Sequence, residues 1–315
     1  MLRYRAKLLA QIRDFFAERD VLEVETPVLS SAANTDPQIN SFSTISGLGH
    51  QPGAPLHYLH TSPEFGMKRL LAAGSGPIYQ ICKVFRQGER GRYHNPEFTL
   101  LEWYRPDFDH HRLMREVETL VLHLLTRTKL APSQYLTYRE AFKLYAALDP
   151  HLASTEEIRH CVERCGIGEV SGLTKDDRDG WLDLLMSHLV QPRLGRGQLT
   201  FLFDYPASQA ALARIIPGDP PVAARFELFL EGVELANGFH ELNDAAEQKS
   251  RFRHDLQQRK RAKQPLLPMD QRLLAALHHG LPNCAGVALG IDRLLMLIHD
   301  ASHIKEVIAF PFELA

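Results

Sequence analysis

The sequence predicts an α+β fold, an antiparallel sheet flanked by helices, on three observations. First, two segments read as strand, turn, strand: Ile78–Phe85 with Glu97–Tyr104 across a polar loop, and Ala223–Leu230 with Val233–Gly238 across Glu231-Gly232. Second, the helical patterns are segregated from these strands instead of alternating with them, which argues against a doubly wound sheet. Third, neither a Walker A sequence nor Gly-x-Gly-x-x-Gly occurs, so the common nucleotide-binding folds have no support.

The elements follow in order. Met1–Arg19 is amphipathic, with Leu8, Leu9, Ile12, Phe15 and Phe16 at helical spacing. Val21–Val24 reads as a short strand ended by Thr26-Pro27, and a further strand is expected around Ile39–Ile45. Tyr58–Thr61 is a strand. Ser62–Ala73 is a helix, with Ser62 as its cap and Pro63 in its first position. Leu113–Leu125 is a helix. Residues 131–200 read as a helical insertion, with helices near Thr137–Ala147, Thr155–Cys165 and Asp177–Leu189. Thr200–Tyr205 is a strand. Asp244–Lys263 and Asp270–His279 are helices, the first strongly charged. Cys284–Gly290 is an apolar strand entering a helix from Ile291, with Asp292 as its expected cap.

With 315 residues the chain can bury one large core or two smaller ones, and it is read as a single domain over 1–315. A net charge of -2 gives no overall pull toward nucleic acid. The four cysteines form no Cys-x-x-Cys pair, which fits a reducing, cytoplasmic setting. No apolar run is long enough for a membrane span, and the N-terminus lacks the apolar core of a secretory signal.

Three constellations carry chemistry. Glu227, Glu234 and Glu241 recur every seven residues along the second hairpin. With a turn at Glu231-Gly232, Phe229 pairs with Glu234, and Glu227 and Glu234 lie diagonally on one face. Carboxylates that close invite a divalent cation, and magnesium takes one or two carboxylates plus nucleotide phosphates. An edge strand with solvated glutamates is the plain alternative. Arg86, at the end of an apolar strand, is pre-organised for phosphate, and Phe98 on the returning strand is available to stack on a base. A solvated charged loop is the alternative there. Glu64 falls in the first turn of its helix, where it either meets an amino group or simply answers the helix dipole. The paired histidines match no zinc template.

Taken together these blocks resemble the class II aminoacyl-tRNA synthetase catalytic domain, most closely its lysyl branch. Phe16–Pro27 resembles motif 1, Val84–Glu102 motif 2 and Gly286–Arg293 motif 3. Thr61-Ser62-Pro63-Glu64 and the Glu234–Leu242 segment match lysyl-type blocks. Motif 1 begins almost at Met1, which leaves no residues for an anticodon-binding OB domain. The chain therefore resembles the truncated lysyl-tRNA synthetase paralogues that join (R)-β-lysine to elongation factor P. The Phe203-x-x-Pro206-Ala207-Ser208-Gln209-Ala210 run is similar to theirs.

The resemblance implies an ATP-dependent, AMP-forming ligase that uses Mg2+, works as a homodimer, and takes elongation factor P as acceptor. It implies catalytic roles for Arg86 and Arg293. ATP contacts are implied at Arg86, Gln87, Gly88, Asn95, Phe98, Glu234, Leu235, Gly290 and Arg293, with adenine between Phe98 and Arg293. Glu227 and Glu234 would hold magnesium. Ser62, Pro63, Glu64, Tyr104, Asn237, Glu241 and Ala288 would line the amino-acid pocket, with Tyr104 and Glu241 on the distal ammonium. Three positions depart. The loop reads Arg86-Gln87-Gly88-Glu89 where that family usually has Arg-Asn-Glu-Glu, so an adenine contact at Gly88 has to be through backbone. Ala288 stands where lysyl-tRNA synthetases usually have glycine, and its methyl group would favour a substrate with a shifted amine. A lysyl-tRNA synthetase-like enzyme charging tRNA or releasing lysyl adenylate, and an inactive regulatory paralogue, are the competing readings.

Overall fold

The structure, a computed structural model, describes residues 1–45, 56–125, 129–168 and 173–315. Its contacts define two compact units, Met1–Asp107 with Leu242–Ala315, and Phe108–Glu241.

The first unit begins with α1 (Leu2–Ala17), whose expected stripe is buried at Leu8, Ile12, Phe15 and Phe16. Phe16 stacks on Tyr79 with ring centroids 4.4 Å apart and meets the edge of the fully buried Trp103 at 5.5 Å. Burying each such side chain contributes about 2 kcal/mol, so this trio fastens the helix to its sheet. Next come β1 (Leu22–Glu23), β2 (Leu29–Ser30), β3 (Ser43–Ile45), β4 (Leu56–Leu59), α2 (Glu64–Ala72), β5 (Ile78–Phe85) and β6 (Glu97–Pro106). The strand expected from Ile39 is confined to 43–45. At α2 the cap position falls on Pro63, and the Ser62 hydroxyl only accepts a 3.4 Å contact from the Glu64 amide. The expected capping by Ser62 is therefore corrected.

The second unit starts with α3 (His110–Leu124), which begins before the expected Leu113 because Asp109 caps it, accepting from the Arg112 amide at 2.7 Å. It continues with β7 (Ala131–Thr137), α4 (Tyr138–Ala146), α5 (Thr155–Arg164), α6 (Arg178–Leu185), β8 (Gln198–Pro206), β9 (Ile215–Ile216), β10 (Val222–Leu230) and β11 (Val233–His240). Capping boxes at Thr137/Glu140 and Ser154/Glu157 start α4 and α5. The 131–200 region is thus not purely helical: β7, masked in the sequence by Pro132 and polar neighbours, pairs in parallel with β8. The sheet of this unit runs β11-β10-β8-β7, with β9 on β10. The hairpin turns at Glu231 and Gly232, both at positive φ (52 and 76). Gly195 packs beneath it, where an added Cβ would lie 2.6 Å from the Phe229 carbonyl oxygen.

The chain returns to the first unit with α7 (Ala245–Arg261), α8 (Gln271–Gly280), β12 (Cys284–Gly290) and α9 (Ile291–Ile298). The charged α7 is not simply solvated. Arg259 is 1% exposed and donates to the carbonyls of Thr35 (2.9 Å), Asp36 (2.6 Å) and Ile39 (2.7 Å). These bonds hold residues 35–39 in a loop, which explains why no strand forms there. The main sheet of this unit runs β1-β5-β6-β12. Asp292 does not cap α9; that place belongs to Gly290. Its buried carboxylate instead accepts from the Thr99 amide at 2.7 Å and pairs with Arg5, tying α1, β6 and α9 together. Among the described residues no helix is long and apolar enough to cross a membrane.

Candidate active site

In the first unit the register collects the expected residues on one sheet face. Ala288 pairs with Glu102 and Gly286 with Tyr104, while Gln80 pairs with Glu102 and Val84 with Phe98 from the other side. Because side chains alternate, the even-numbered positions of β5, β6 and β12 point the same way. Phe98, Glu102, Tyr104, Ala288 and Gly290 therefore share a face, and Arg86 lies just beyond the end of β5.

Around Arg86 the loop is well tied. Its Nε donates to the Thr61 carbonyl at 3.2 Å, and its guanidinium carbon lies 5.1 Å from the centre of the Phe98 ring. The Gln87 amide donates to the Asn40 carbonyl at 2.7 Å. Gly88 has φ +88 and nothing within 4 Å of an added Cβ, so a backbone contact there is open. Arg293 reaches the same loop, with Nε on the Tyr93 carbonyl (3.3 Å) and Nη2 on His94 Nε2 (2.8 Å). Asn95 is buried. Its amide nitrogen donates to the Glu97 carbonyl at 2.6 Å, and its oxygen accepts from the Phe312 amide at 3.2 Å. Its first task is holding the loop and the C-terminal segment.

Two residues beyond the expected set stand out. Glu102, 2% exposed, accepts a 2.7 Å hydrogen bond from the Tyr104 hydroxyl. Its alternation with Tyr104 was visible in the sequence. Burial, with the Glu102 charge adding to it, pushes the nearby Cys82 thiol up to about 12. Lys68, 1% exposed, donates to Glu64 Oε1 at 2.6 Å across one helical turn. Glu64 is therefore charge-compensated, with its second oxygen left to accept. Ser62 and Pro63 line a cavity of about 280 Å³ together with Thr26, His57 and Arg69. Glu64, Tyr104 and Ala288 do not line it.

In the second unit, the register pairs Leu230 with Val233 and Phe229 with Glu234, as expected from the turn. It then shifts, so that Leu228 meets Ala236 and Glu227 meets Asn237, and Leu235 is the extra residue of a β-bulge. Glu234 and Asn237, three apart, would point to opposite faces of a regular strand. The bulge brings both onto the face of Arg225 and Glu227. All four are half-buried. Burial first, and the neighbouring Glu234 charge, raise the Glu227 carboxyl, while Arg225 opposes them. Glu241, 1% exposed, follows β11, bridging Ala213.

The donor chemistry of Glu227 and Glu234 fits magnesium held by few carboxylates and completed by phosphates. Among the described residues no group of three or more His, Cys, Asp or Glu is placed to hold a metal, so the pair is not a closed structural metal site.

The profile of the family described as tRNA synthetases class II (D, K and N) matches residues 1–314. The chain belongs to this family. Its relatives within the class II synthetases include proteins named elongation factor P–(R)-β-lysine ligase. That of Vibrio cholerae is 51% identical over 312 residues, covering 99% of this chain and 95% of the relative. That of Pseudoalteromonas translucida is 52% identical over 310 residues, 98% and 94% of the two chains. That of Salmonella gallinarum is 49% identical over 312 residues, 99% and 94%.

Proposed function

We propose that this class II synthetase relative activates (R)-β-lysine with ATP and transfers it to a lysine ε-amino group of elongation factor P. The observation that carries this reading is the likeness, at about half identity and over nearly the full length of both chains, to ligases named for that reaction.

In activation the substrate carboxylate attacks the α-phosphorus of ATP; a carboxyl oxygen–phosphorus bond forms and pyrophosphate leaves. Two anions must approach each other, so fixed positive charge contributes most. Arg86, pinned by Thr61, and Arg293, pinned by Tyr93 and His94, supply it without reorganising. Phe98 offers an adenine platform, Asn95 orders the loop, and the backbone at Gln87, Gly88 and Gly290 offers close approach. In the second unit, Glu227 and Glu234 would hold magnesium, which when bound neutralises polyphosphate charge, and Leu235 carries the bulge between Glu234 and Asn237.

For the amino acid, Glu102 and Tyr104 offer a buried acceptor pair to an ammonium, as does Glu241. Ser62, Pro63 and Glu64 serve the end nearer the carboxylate, and Ala288 narrows the strand beside Glu102. In transfer the acceptor amine attacks the acyl carbon and AMP leaves. The Phe16–Pro27 resemblance to motif 1, with exposed Leu22 and Leu29, supports a homodimer. An acceptor that serves translation would be met in the cytoplasm, which supports a cytoplasmic location. ATP–pyrophosphate exchange tests the activation step. β-Lysine is expected to drive exchange well above α-lysine, and exchange driven only by α-lysine would refute the substrate assignment.

A further inference from the structure

Arg225 belongs to none of the residue sets above, yet it touches two of them. From β10 its Nε donates to the Asn237 side-chain oxygen at 3.3 Å, its Nη1 to the Gln209 carbonyl at 3.0 Å, and its Nη2 to Glu227. Its guanidinium carbon lies 4.4 Å from the centre of the Tyr205 ring. Its side chain is 18% exposed. Gln209 is held in turn, its amide nitrogen donating to Asp183 at 3.0 Å, while the neighbouring Ser208 donates to Asp179 at 2.8 Å. The Pro206–Gln209 run, which the activation chemistry leaves without a role, thus works as a bracket between α6 and Arg225.

We propose that Arg225 is a positioning residue that fixes the sense of the Asn237 amide and balances the acidic face of the hairpin. The inference rests on the reading in which Glu227 and Glu234 take magnesium and Asn237 lines the amino-acid pocket.

The first half follows from donor inventory. A guanidinium offers donors only, so the Asn237 oxygen must face it and the amide nitrogen must face away. Asn237 then presents two N–H donors to its ligand, and its sense is set before the ligand arrives. The second half follows from charge. Glu227 and Glu234 alone would present two negative charges; with Arg225 the trio carries one. A divalent cation bound there leaves the trio net positive, which suits a polyphosphate. Without Arg225 the same cation is merely neutralised, so the metal would bind more tightly alone and the nucleotide less well.

Arg225→Lys and Arg225→Met separate the two halves. Lysine keeps the charge and loses the fork that reaches Glu227, Asn237 and Gln209 together. Arg225→Lys is expected to raise the KM for the lysine substrate roughly tenfold with kcat within about twofold, the signature of lost ground-state positioning. Its affinity for Mn2+, measured by electron paramagnetic resonance on nucleotide-free protein, should stay within about twofold of wild type, whereas Arg225→Met should bind Mn2+ roughly tenfold more tightly. Circular dichroism checks folding, and Arg225→Lys carries the test if Arg225→Met fails to fold. A lowered melting temperature with unchanged KM and unchanged Mn2+ affinity would make Arg225 a packing residue and overturn the proposal. Absence of lysine-dependent exchange in the wild type would instead overturn the underlying functional reading, and the Mn2+ comparison would still decide the charge-balancing half.

Discussion

The Tyr104 hydroxyl donates to Glu102 Oε1 at 2.7 Å, from two residues apart on one strand and one sheet face. Ala288 sits directly across from Glu102 in the neighbouring strand. A buried carboxylate held by a phenol is oriented before any ammonium arrives. Tyr104→Phe keeps the ring and removes only that donor. It is expected to raise the KM for the lysine substrate about tenfold, the cost of one hydrogen bond to a charged group. Melting temperature should fall by a few degrees, because the same bond is made in the free protein. A KM equal to wild type in pyrophosphate exchange would remove Tyr104 from the pocket.

Ala288 tests selectivity. Its methyl group shares the face of Glu102 and Tyr104, and unlike Val287 and Leu289 on either side it is not fully buried. Ala288→Gly is expected to raise activation of α-lysine relative to β-lysine, measured as the ratio of kcat/KM values in exchange assays. One methyl group in a pocket discriminates by about 10-fold or more. An unchanged ratio would leave Ala288 as packing.

Lys68 and Glu64 act as a pair. Lys68→Met leaves Glu64 without its compensating charge and is expected to cost about 3 kcal/mol in urea unfolding. Adding Glu64→Gln should restore most of that stability while activation stays low, because the acceptor for the substrate amine is gone. Full recovery of activity in the double variant would show that Glu64 does not touch substrate.

The Cys82 thiol reports on Glu102. Burial comes first and the Glu102 charge second in holding its pKa up to about 12. Alkylation requires the thiolate, so at pH 8 Cys82 should react with iodoacetamide far more slowly than the exposed Cys165. The sign then fixes the variant. Glu102→Gln removes a negative neighbour, lowers the thiol pKa, and should speed alkylation of Cys82 by mass spectrometry. No change in rate would place the Glu102 charge elsewhere.

These residues show what the sequence makes legible. Strand and helix periods located β5, β6, β10 and β11, and Glu231-Gly232 fixed the hairpin register as far as Glu234. The bulge at Leu235 escaped, because an extra residue leaves no mark in composition, and only it explains how Glu234 and Asn237 share a face. Ser62 and Asp292 were misplaced as caps: each has the right residue type, but Pro63 and Gly290 occupy the cap positions, and Asp292 is drawn inward by Arg5 and the Thr99 amide. Arg259 lies in a segment whose charge pattern reads as a solvated helix, and only its tertiary carbonyl partners show why it is buried. The site residues were named by likeness to a family; the sheet register then puts Phe98, Tyr104 and Ala288 on one face and adds Glu102 to them.

The central claim is about the acceptor. The direct measurement supplies the protein with ATP and radiolabelled (R)-β-lysine, offers elongation factor P and lysine tRNA separately, and follows the label. Label on a lysine of elongation factor P, none on tRNA, and AMP released in step are the predicted result. Label on tRNA with none on elongation factor P would contradict the account.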